Sequence, residues 1–156
     1  MTETVIEKFW RAYCASRGDA ETCVKESYDA WAFGDGKPMA DELGGLVLRG
    51  IKTATAGLPW EDEYFGWKSP EVGDKTIILD GDGAPLCVIE TTAAVVRPFD
   101  TVDAPFARLE GEGFTGVEDW RRAHWQYFSR RCKVIGKEPD EQMPVLCQQF
   151  RVVYPR

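Results

Sequence analysis

The sequence contains no apolar run near the ~20 residues that span a bilayer, and its first residues lack the basic-then-apolar order of a signal peptide. These absences predict a cytoplasmic protein without a membrane partner. Positive charge is also scarce, because 19 Lys and Arg stand against 26 Asp and Glu and leave a net charge of −7. Since binding along duplex phosphates needs clustered cations, no extended duplex DNA partner is expected.

Patterns that bind metals are equally scarce. The five cysteines include no CxxC pair, and there is one histidine. An odd number of widely spaced cysteines argues against a disulfide framework and against a tetrahedral zinc site. The segment "DGDG" at 80–83 lacks the later ligands of a calcium loop and is expected to be a hairpin turn. We therefore predict neither a metal nor a cofactor.

The order of helix-like and strand-like segments predicts a single α+β domain over residues 1–156. It has a helical N-terminal extension (1–33) and a barrel core with helices (34–156). Helical spacing of apolar residues predicts helices around Val5, Ile6, Phe9, Trp10 and Tyr13; around Val24, Tyr28 and Trp31; in "KPMADELGGLVL", ended by Gly50; and around Val117, Trp120, His124, Tyr127 and Phe128. Two strands joined by a turn are predicted in "KTIILDGDGAPLCVIETT", a third in "AAVVRPF" and a last in "PVLCQQFRVVY", whereas "PWEDEYFGWKSPEVGDK" is predicted to be a loop. The sheet is expected to be mostly antiparallel and to form a small barrel.

The segment "RGIKTATAGL" at 49–58 places a lysine and two threonines directly after a helix end. In the structural interpretation Lys52 lies on a surface turn, and the threonines merely favour extended backbone. In the functional interpretation Thr55 is a nucleophile activated by Lys52, with Thr53 as the alternative hydroxyl. Residues three apart in a straight strand point to opposite faces, so this site requires the backbone to bend after Gly50.

Glu90 lies in "LCVIETT", a run otherwise suited to a buried strand. A carboxylate there is costly unless it is paired or protonated. Either the strand is at an edge with its polar face in water, or Glu90 pairs with Lys52 in a cavity and tunes its amine.

Four aromatic residues crowd the loop after the lysine segment: Trp60, Tyr64, Phe65 and Trp67. They either cover the core or stack on a nucleobase, for which Trp60, Tyr64 and Trp67 are the candidates. The single histidine, His124, is expected to be structural, because it lies on an apolar helix face.

Five segments in order resemble the ASCH-domain family over residues 30 to 155, and they include its GxKxxT core as Gly50, Lys52 and Thr55. The segments are "WAFGDGKPMADELGGLVLRGIKTATAGL", "VGDKTIILDGDGAPLCVIETT", "VRPFDTVDAPFARLEGEG", "WRRAHWQYF" and "MPVLCQQFRVVYP". The resemblance is closest to longer bacterial members, and it implies a PUA-like β-barrel with flanking helices and a cavity at the GxKxxT segment.

The resemblance also implies a function connected with RNA or modified nucleosides. In small bacterial members that hydrolyse N4-acetylcytidine, a Lys, a Thr and a Glu form the catalytic set, and the matching positions here are Lys52, Thr55 and Glu90. We therefore expect an amidohydrolase acting on N4-acylated cytosine nucleosides, with Gly50 and Thr53 beside the substrate. A longer relative is described as a ribonuclease, so a ribonuclease on single-stranded RNA and a non-catalytic binder of RNA or modified nucleosides are the alternatives.

Overall fold

The first helix, α1 (Val5–Arg17), begins and ends at residues suited to its termini. In the computed structural model, which describes residues 2–34 and 36–155, the Thr4 side chain accepts a hydrogen bond from the Glu7 backbone N–H while the Glu7 carboxylate accepts one from the Thr4 N–H. This capping box satisfies two N–H groups that the helix leaves without partners. Gly18 ends the helix in the left-handed conformation, which a residue without a Cβ adopts at little cost.

Five further helices and five strands follow among the described residues. The helices are α2 (Ala20–Cys23), α3 (Lys37–Leu48), α4 (Pro59–Phe65), α5 (Ala104–Leu109) and α6 (Val117–Val134), with a 3-10 turn at Phe99–Thr101. The strands are β1 (Asp29–Ala32), β2 (Ala54–Gly57), β3 (Lys75–Leu79), β4 (Pro85–Pro98) and β5 (Pro144–Tyr154). They form one sheet in the order β1-β3-β4-β5-β2. The mixed α+β fold with flanking helices predicted from the sequence is confirmed.

The chain divides into two compact units. The first comprises Met1–Ile51, Gly73–Thr91 and Phe150–Arg156. Within it, β1 runs parallel to β3 and β3 runs antiparallel to β4, with Lys75 opposite Glu90. Its apolar interior includes Trp10 and Tyr13 of α1 and Val47 of α3, which pack in two clusters with residues of β3 and β4.

The second unit comprises Lys52–Val72 and Thr92–Gln149. Here β2 pairs antiparallel with β5, and Thr55 lies opposite Gln148. Its core is built around Trp120 and Phe128, which lie on one face of α6 as the sequence predicted.

Several local predictions are wrong. The second helix ends at Cys23, and Trp31 lies in β1, because "DAWA" pairs in parallel with β3, a contact far away in the sequence. The loop after the lysine segment contains α4, whose seven residues are too few to show clear periodicity. The predicted third strand is a continuation of β4 to Pro98.

A disulfide bond joins Cys14 of α1 to Cys23 of α2, contrary to the expectation from cysteine spacing. The turn between the two helices brings their Cα atoms to 5.3 Å, within the range that a disulfide requires. Cys87, Cys132 and Cys147 are free and buried. None of the helices in the described part of the chain is long and apolar enough to cross a membrane. The single-domain organisation with its boundary at residue 33 stays a prediction.

Candidate functional site

Lys52 follows a sharp bend in the backbone. Gly50 takes the left-handed conformation, with a φ of 75°, directly after α3, and β2 begins only at Ala54. The segment that carries Lys52 and Thr53 is therefore not a straight strand. The predicted site requires such a bend after Gly50. Only 1% of the Lys52 side chain is exposed.

The buried ammonium of Lys52 is surrounded by oxygen atoms. Its Nζ lies 2.6 Å from a carboxylate oxygen of Glu112 and 3.7 Å from one of Glu110. It also donates to the backbone oxygen of Ala54 at 2.8 Å, at the peptide bond that leads into Thr55. A buried ammonium is stable only when charges and hydrogen bonds replace its hydration, and these oxygens supply both.

The two glutamates are brought to Lys52 by the chain that leaves α5. The helix begins with Asp103 as its N-cap, whose carboxylate accepts from the Phe106 N–H at 3.1 Å. At the other end, the Leu109 carbonyl accepts from both the backbone N–H (2.9 Å) and the hydroxyl (3.2 Å) of Thr53. These bonds fix the segment that contains Glu110 and Glu112 beside the segment that contains Lys52.

Glu110 is as buried as Lys52, and both of its carboxylate oxygens have partners on α6. The indole Nε1 of Trp120 donates to Oε1 at 3.0 Å, and Nε2 of His124 lies 3.3 Å from Oε2. The His124 ring stacks on the Trp120 ring at 4.1 Å. The cluster therefore consists of Lys52, Glu110, Glu112 and His124, with Trp120 beneath it.

The environments of the two carboxyl groups push their pKa values apart. Burial acts to raise the pKa of Glu110, but the hydrogen bond and charge of His124 and the charge of Lys52 outweigh burial and lower the pKa to about 2. The pKa of Glu112 is raised, first by burial and also by its contact with Glu110, despite the opposing charge of Lys52. A pair of carboxyl groups with divergent pKa values is typical of acid–base sites, in which one group holds charge and the other holds a proton.

The two threonines differ in how their hydroxyl groups are engaged. The Thr53 hydroxyl donates to Leu109, whereas the Thr55 side chain, partly exposed on β2, has no hydrogen bond to any described residue. Thr55 therefore has a hydroxyl free to meet a ligand.

A model of the ASCH domain matches residues 29–154. The chain belongs to the ASCH-domain family. Two solved structures are similar over nearly its whole length. One is a high-resolution crystal structure of an ASCH domain from Lactobacillus crispatus JV V101, with 31% identity and a TM-score of 0.83, covering 95% of this chain and 94% of that one. The other is a protein from Enterococcus faecalis V583, with 30% identity and a TM-score of 0.81, covering 93% of this chain and 88% of that one. No curated protein sequence matches the chain.

Glu90, the carboxylate predicted to pair with Lys52, lies in β4 of this ASCH domain with different partners. Its carboxylate is 3.2 Å from Lys75 and 2.7 Å from Arg151. Burial acts to raise the pKa of Glu90, but the hydrogen bonds from Arg151 and Lys75 outweigh it, so the pKa is lowered. The cationic partners of Glu90 thus come from the neighbouring strands, and its catalytic role stays a prediction.

The predicted aromatic residues lie on and after α4 in two different settings. Trp60 packs against the core, and the Lys137 ammonium lies 5.3 Å from the centre of its ring. Tyr64 and Trp67 are exposed, and Phe65 stacks on Trp67 at 4.5 Å. Trp60 thus partly covers the core, whereas Tyr64 and Trp67 offer ring faces to a ligand.

The sequence interpretation missed Glu110 and Glu112 as partners of Lys52. Both are in "RLEGEG", part of a segment that carries the family resemblance. The available signal was two glutamates separated by a glycine directly after an apolar helix, a position where Glu110 enters the core. No group of three or more His, Cys, Asp or Glu side chains suited to a metal ion occurs within residues 2–34 and 36–155.

Proposed function

We propose that this ASCH domain is an amidohydrolase that removes the acyl group from N4-acylated cytosine nucleosides, with Thr55 as nucleophile and Lys52 as its base. One observation carries the proposal: Lys52 is a fully buried amine held 2.6 Å from a carboxyl group, Glu112, whose pKa is raised. A proton can pass between such partners, and the lysine then becomes the neutral base that an alcohol nucleophile needs.

Thr55 is the preferred nucleophile over Thr53. The Thr53 hydroxyl is committed to the Leu109 carbonyl, whereas that of Thr55 has no such bond. In addition, the Lys52 ammonium is anchored on the carbonyl of Ala54, the residue that immediately precedes Thr55.

The reaction then proceeds in two balanced steps. Lys52 first passes a proton to Glu112 and becomes neutral. The Thr55 oxygen then attacks the carbonyl carbon of the exocyclic amide, and the hydroxyl proton of Thr55 moves to Lys52. The carbon–nitrogen bond breaks, the cytosine amine takes a proton from Lys52, and an acyl-threonine remains. Water then attacks this ester and gives a proton to Lys52. The carbon–oxygen bond to Thr55 breaks, the Thr55 oxygen takes that proton back from Lys52, and the carboxylic acid is released.

The carboxylate that serves Lys52 in this proposal is Glu112, supported by its distance, and not Glu90. Glu90 remains a candidate through the family resemblance, and a matched pair of variants separates the two. The nucleoside base is proposed to stack on Tyr64 or Trp67, with Trp60 and Gly50 bordering the site. The predicted cytoplasmic location is part of the same proposal.

The test is hydrolysis of N4-acetylcytidine followed by chromatographic detection of cytidine. Lys52→Ala and Thr55→Val are expected to lose about 10²-fold or more of kcat/KM, as for loss of a base or nucleophile. Thr53→Val is the matched control, since it removes a hydroxyl on the same segment, and it is expected to retain most activity. Full activity in both Lys52→Ala and Thr55→Val would overturn the site, and no cytidine from the wild-type chain would overturn the substrate.

A second candidate function is the binding of single-stranded RNA without turnover. It is favoured by the exposed rings of Tyr64, Phe65 and Trp67, which are suited to stack on bases. Binding of an oligoribonucleotide, measured by tryptophan fluorescence, is expected to weaken in Tyr64→Ala and Trp67→Ala and to survive in Lys52→Ala. Cleavage of the same RNA that is lost in Lys52→Ala would instead favour the ribonuclease alternative.

A further inference from the structure

The proton on one nitrogen of His124 is fixed by the helix that carries the residue. Nδ1 lies 2.9 Å from the backbone oxygen of Trp120, one turn earlier in α6. A carbonyl oxygen only accepts hydrogen bonds, so Nδ1 must be the donor and must carry a proton. The tautomer of this ring therefore follows from the chain geometry.

The other nitrogen of His124 faces a group that also accepts. Nε2 is 3.3 Å from Oε2 of Glu110. With Nδ1 protonated, a neutral ring would turn the lone pair of Nε2 towards the carboxylate, and two acceptors would face each other in a buried site. A further proton must therefore lie between His124 and Glu110.

Groups on three sides decide which partner holds this proton. Lys52 lies just before β2, and Glu112 lies two residues after Glu110. On β5, burial raises the pKa of the Cys147 thiol to about 11, with a smaller contribution from the charge of Glu110, so this thiol is neutral. The second oxygen of Glu110 is stabilised by the Trp120 indole N–H. With the indole N–H on Oε1 and the Lys52 ammonium 3.7 Å from Oε2, both oxygens of Glu110 face donors, an arrangement that favours the ionised carboxylate with Nε2 as its donor.

We propose that His124 is a positioning residue that keeps Glu110 ionised and oriented, so that Glu112 alone exchanges a proton with Lys52. The distances agree with this division, because the Lys52 ammonium is 2.6 Å from Glu112 and 3.7 Å from Glu110. His124 compensates the charge of Glu110. Glu110 therefore does not compete with Glu112 for the proton of Lys52. The catalytic part of this inference rests on the proposed amidohydrolase function, whereas the proton positions do not.

The test follows the carboxyl carbons of the glutamates by NMR in ¹³C-glutamate-labelled protein as the pH is varied, with Glu110 assigned from the signal missing in Glu110→Gln. Two variants separate charge from hydrogen bonding. His124→Phe retains a ring to stack on Trp120 and removes both donors, whereas His124→Gln retains an N–H donor and removes the charge. Arg122→Gln is the matched control, since it removes an exposed positive charge from the same helix.

In the wild-type chain and in Arg122→Gln, Glu110 is expected to remain ionised down to about pH 2. In His124→Phe its pKa is expected to rise clearly, because burial then acts without the opposing hydrogen bond and charge of His124, and in His124→Gln it is expected to rise less. An unchanged Glu110 titration in both His124 variants overturns the proposal. A wild-type Glu110 that titrates at or above the ordinary 4.5 overturns it without any variant.

The kinetic readout separates this role from general stabilisation. In His124→Phe we expect kcat for N4-acetylcytidine to fall by up to about 10²-fold with little change in KM, since His124 orients a group and does not touch the substrate. In the plot of kcat against pH, the fall in kcat on the acid side is expected to begin at a higher pH in His124→Phe. An unchanged acid side contradicts the catalytic role. If the wild-type chain does not hydrolyse the nucleoside, the proposed function fails while the carboxyl titration still decides where the proton lies.

Discussion

The molecule contains two lysine–glutamate pairs that look alike in the sequence and differ in their surroundings. The pair of Lys52 with Glu112 is reinforced by Glu110 and closed off from water on the lysine side. The pair of Lys75 with Glu90 lies across two adjacent strands, and its third member, Arg151, is 67% exposed. In the first pair water cannot replace a lost partner of the ammonium, because the Lys52 side chain is 1% exposed. In the second pair the Lys75 and Glu90 side chains are 16% and 22% exposed, and the hydrogen bonds from Arg151 hold Glu90 when Lys75 is lost.

The largest expected effect comes from removing the cation of the buried pair. Lys52→Met is expected to lower the free energy of unfolding by about 3–5 kcal/mol, since it removes the ammonium that Glu112 contacts at 2.6 Å and leaves buried Glu110 with His124 as its cationic partner. Lys75→Met is the matched variant and is expected to cost less, about 1–2 kcal/mol, because Glu90 keeps its hydrogen bonds from Arg151. Urea unfolding followed by circular dichroism measures both, and equal losses would contradict the comparison.

The next prediction compares the two carboxylates in catalysis. Glu112→Gln retains the shape of the side chain and cannot accept the proton of Lys52, so kcat for N4-acetylcytidine is expected to fall by about 10²–10⁴-fold. Glu90→Gln is expected to change kcat less than about threefold if Glu90 serves only its ion pairs, since its partners Lys75 and Arg151 are not in the Lys52 cluster. The reverse order of the two variants would return the catalytic role to Glu90.

A third prediction concerns acid unfolding. The pKa of Glu110 is lowered in the folded chain, so its ionised form contributes stability that is present above the ordinary value of 4.5 and is lost as the pH falls towards about 2. Glu112 acts in the opposite sense, because its pKa is raised, and its contribution is lost as the pH rises. Stability measured from pH 5 to pH 2.5 is therefore expected to fall less steeply in Glu110→Gln than in the wild-type chain. An identical slope in the two proteins would show that Glu110 is not ionised in the core.

The smallest expected effect is at Arg151. Because most of this side chain is in water, Arg151→Gln is expected to change stability by less than about 0.5 kcal/mol, and the change should shrink further in high salt. A loss above about 1 kcal/mol that persists in high salt would place Glu90 among the buried, interdependent charges.

The sequence predicted features that depend on local order. The inward face of α6 and the stop at Gly50 were read correctly because the spacing of apolar residues and a glycine after a helix carry direct information. The short helix α4 was missed, since its seven residues make fewer than two turns and show no clear periodicity. Lys52 was recognised as unusual, but its partners were not, because Glu110 is 58 positions away and only the packing of α5 and α6 brings it close. The Cys14–Cys23 bond was missed for a similar reason, since it depends on the turn between two helices.

The backbone N–H and the hydroxyl of Thr53 both donate hydrogen bonds to the Leu109 carbonyl, and these two bonds make the charged cluster observable at one amide. Each contact between the Lys52 segment and the glutamates closes a loop of nearly 60 residues, which is formed only when the second unit is folded. The amide proton of Thr53 is held by that same closure. Its exchange with deuterated solvent therefore reports the opening of the charged cluster at a single backbone position, and a nucleoside that binds there would slow the exchange of this one amide together with its neighbours.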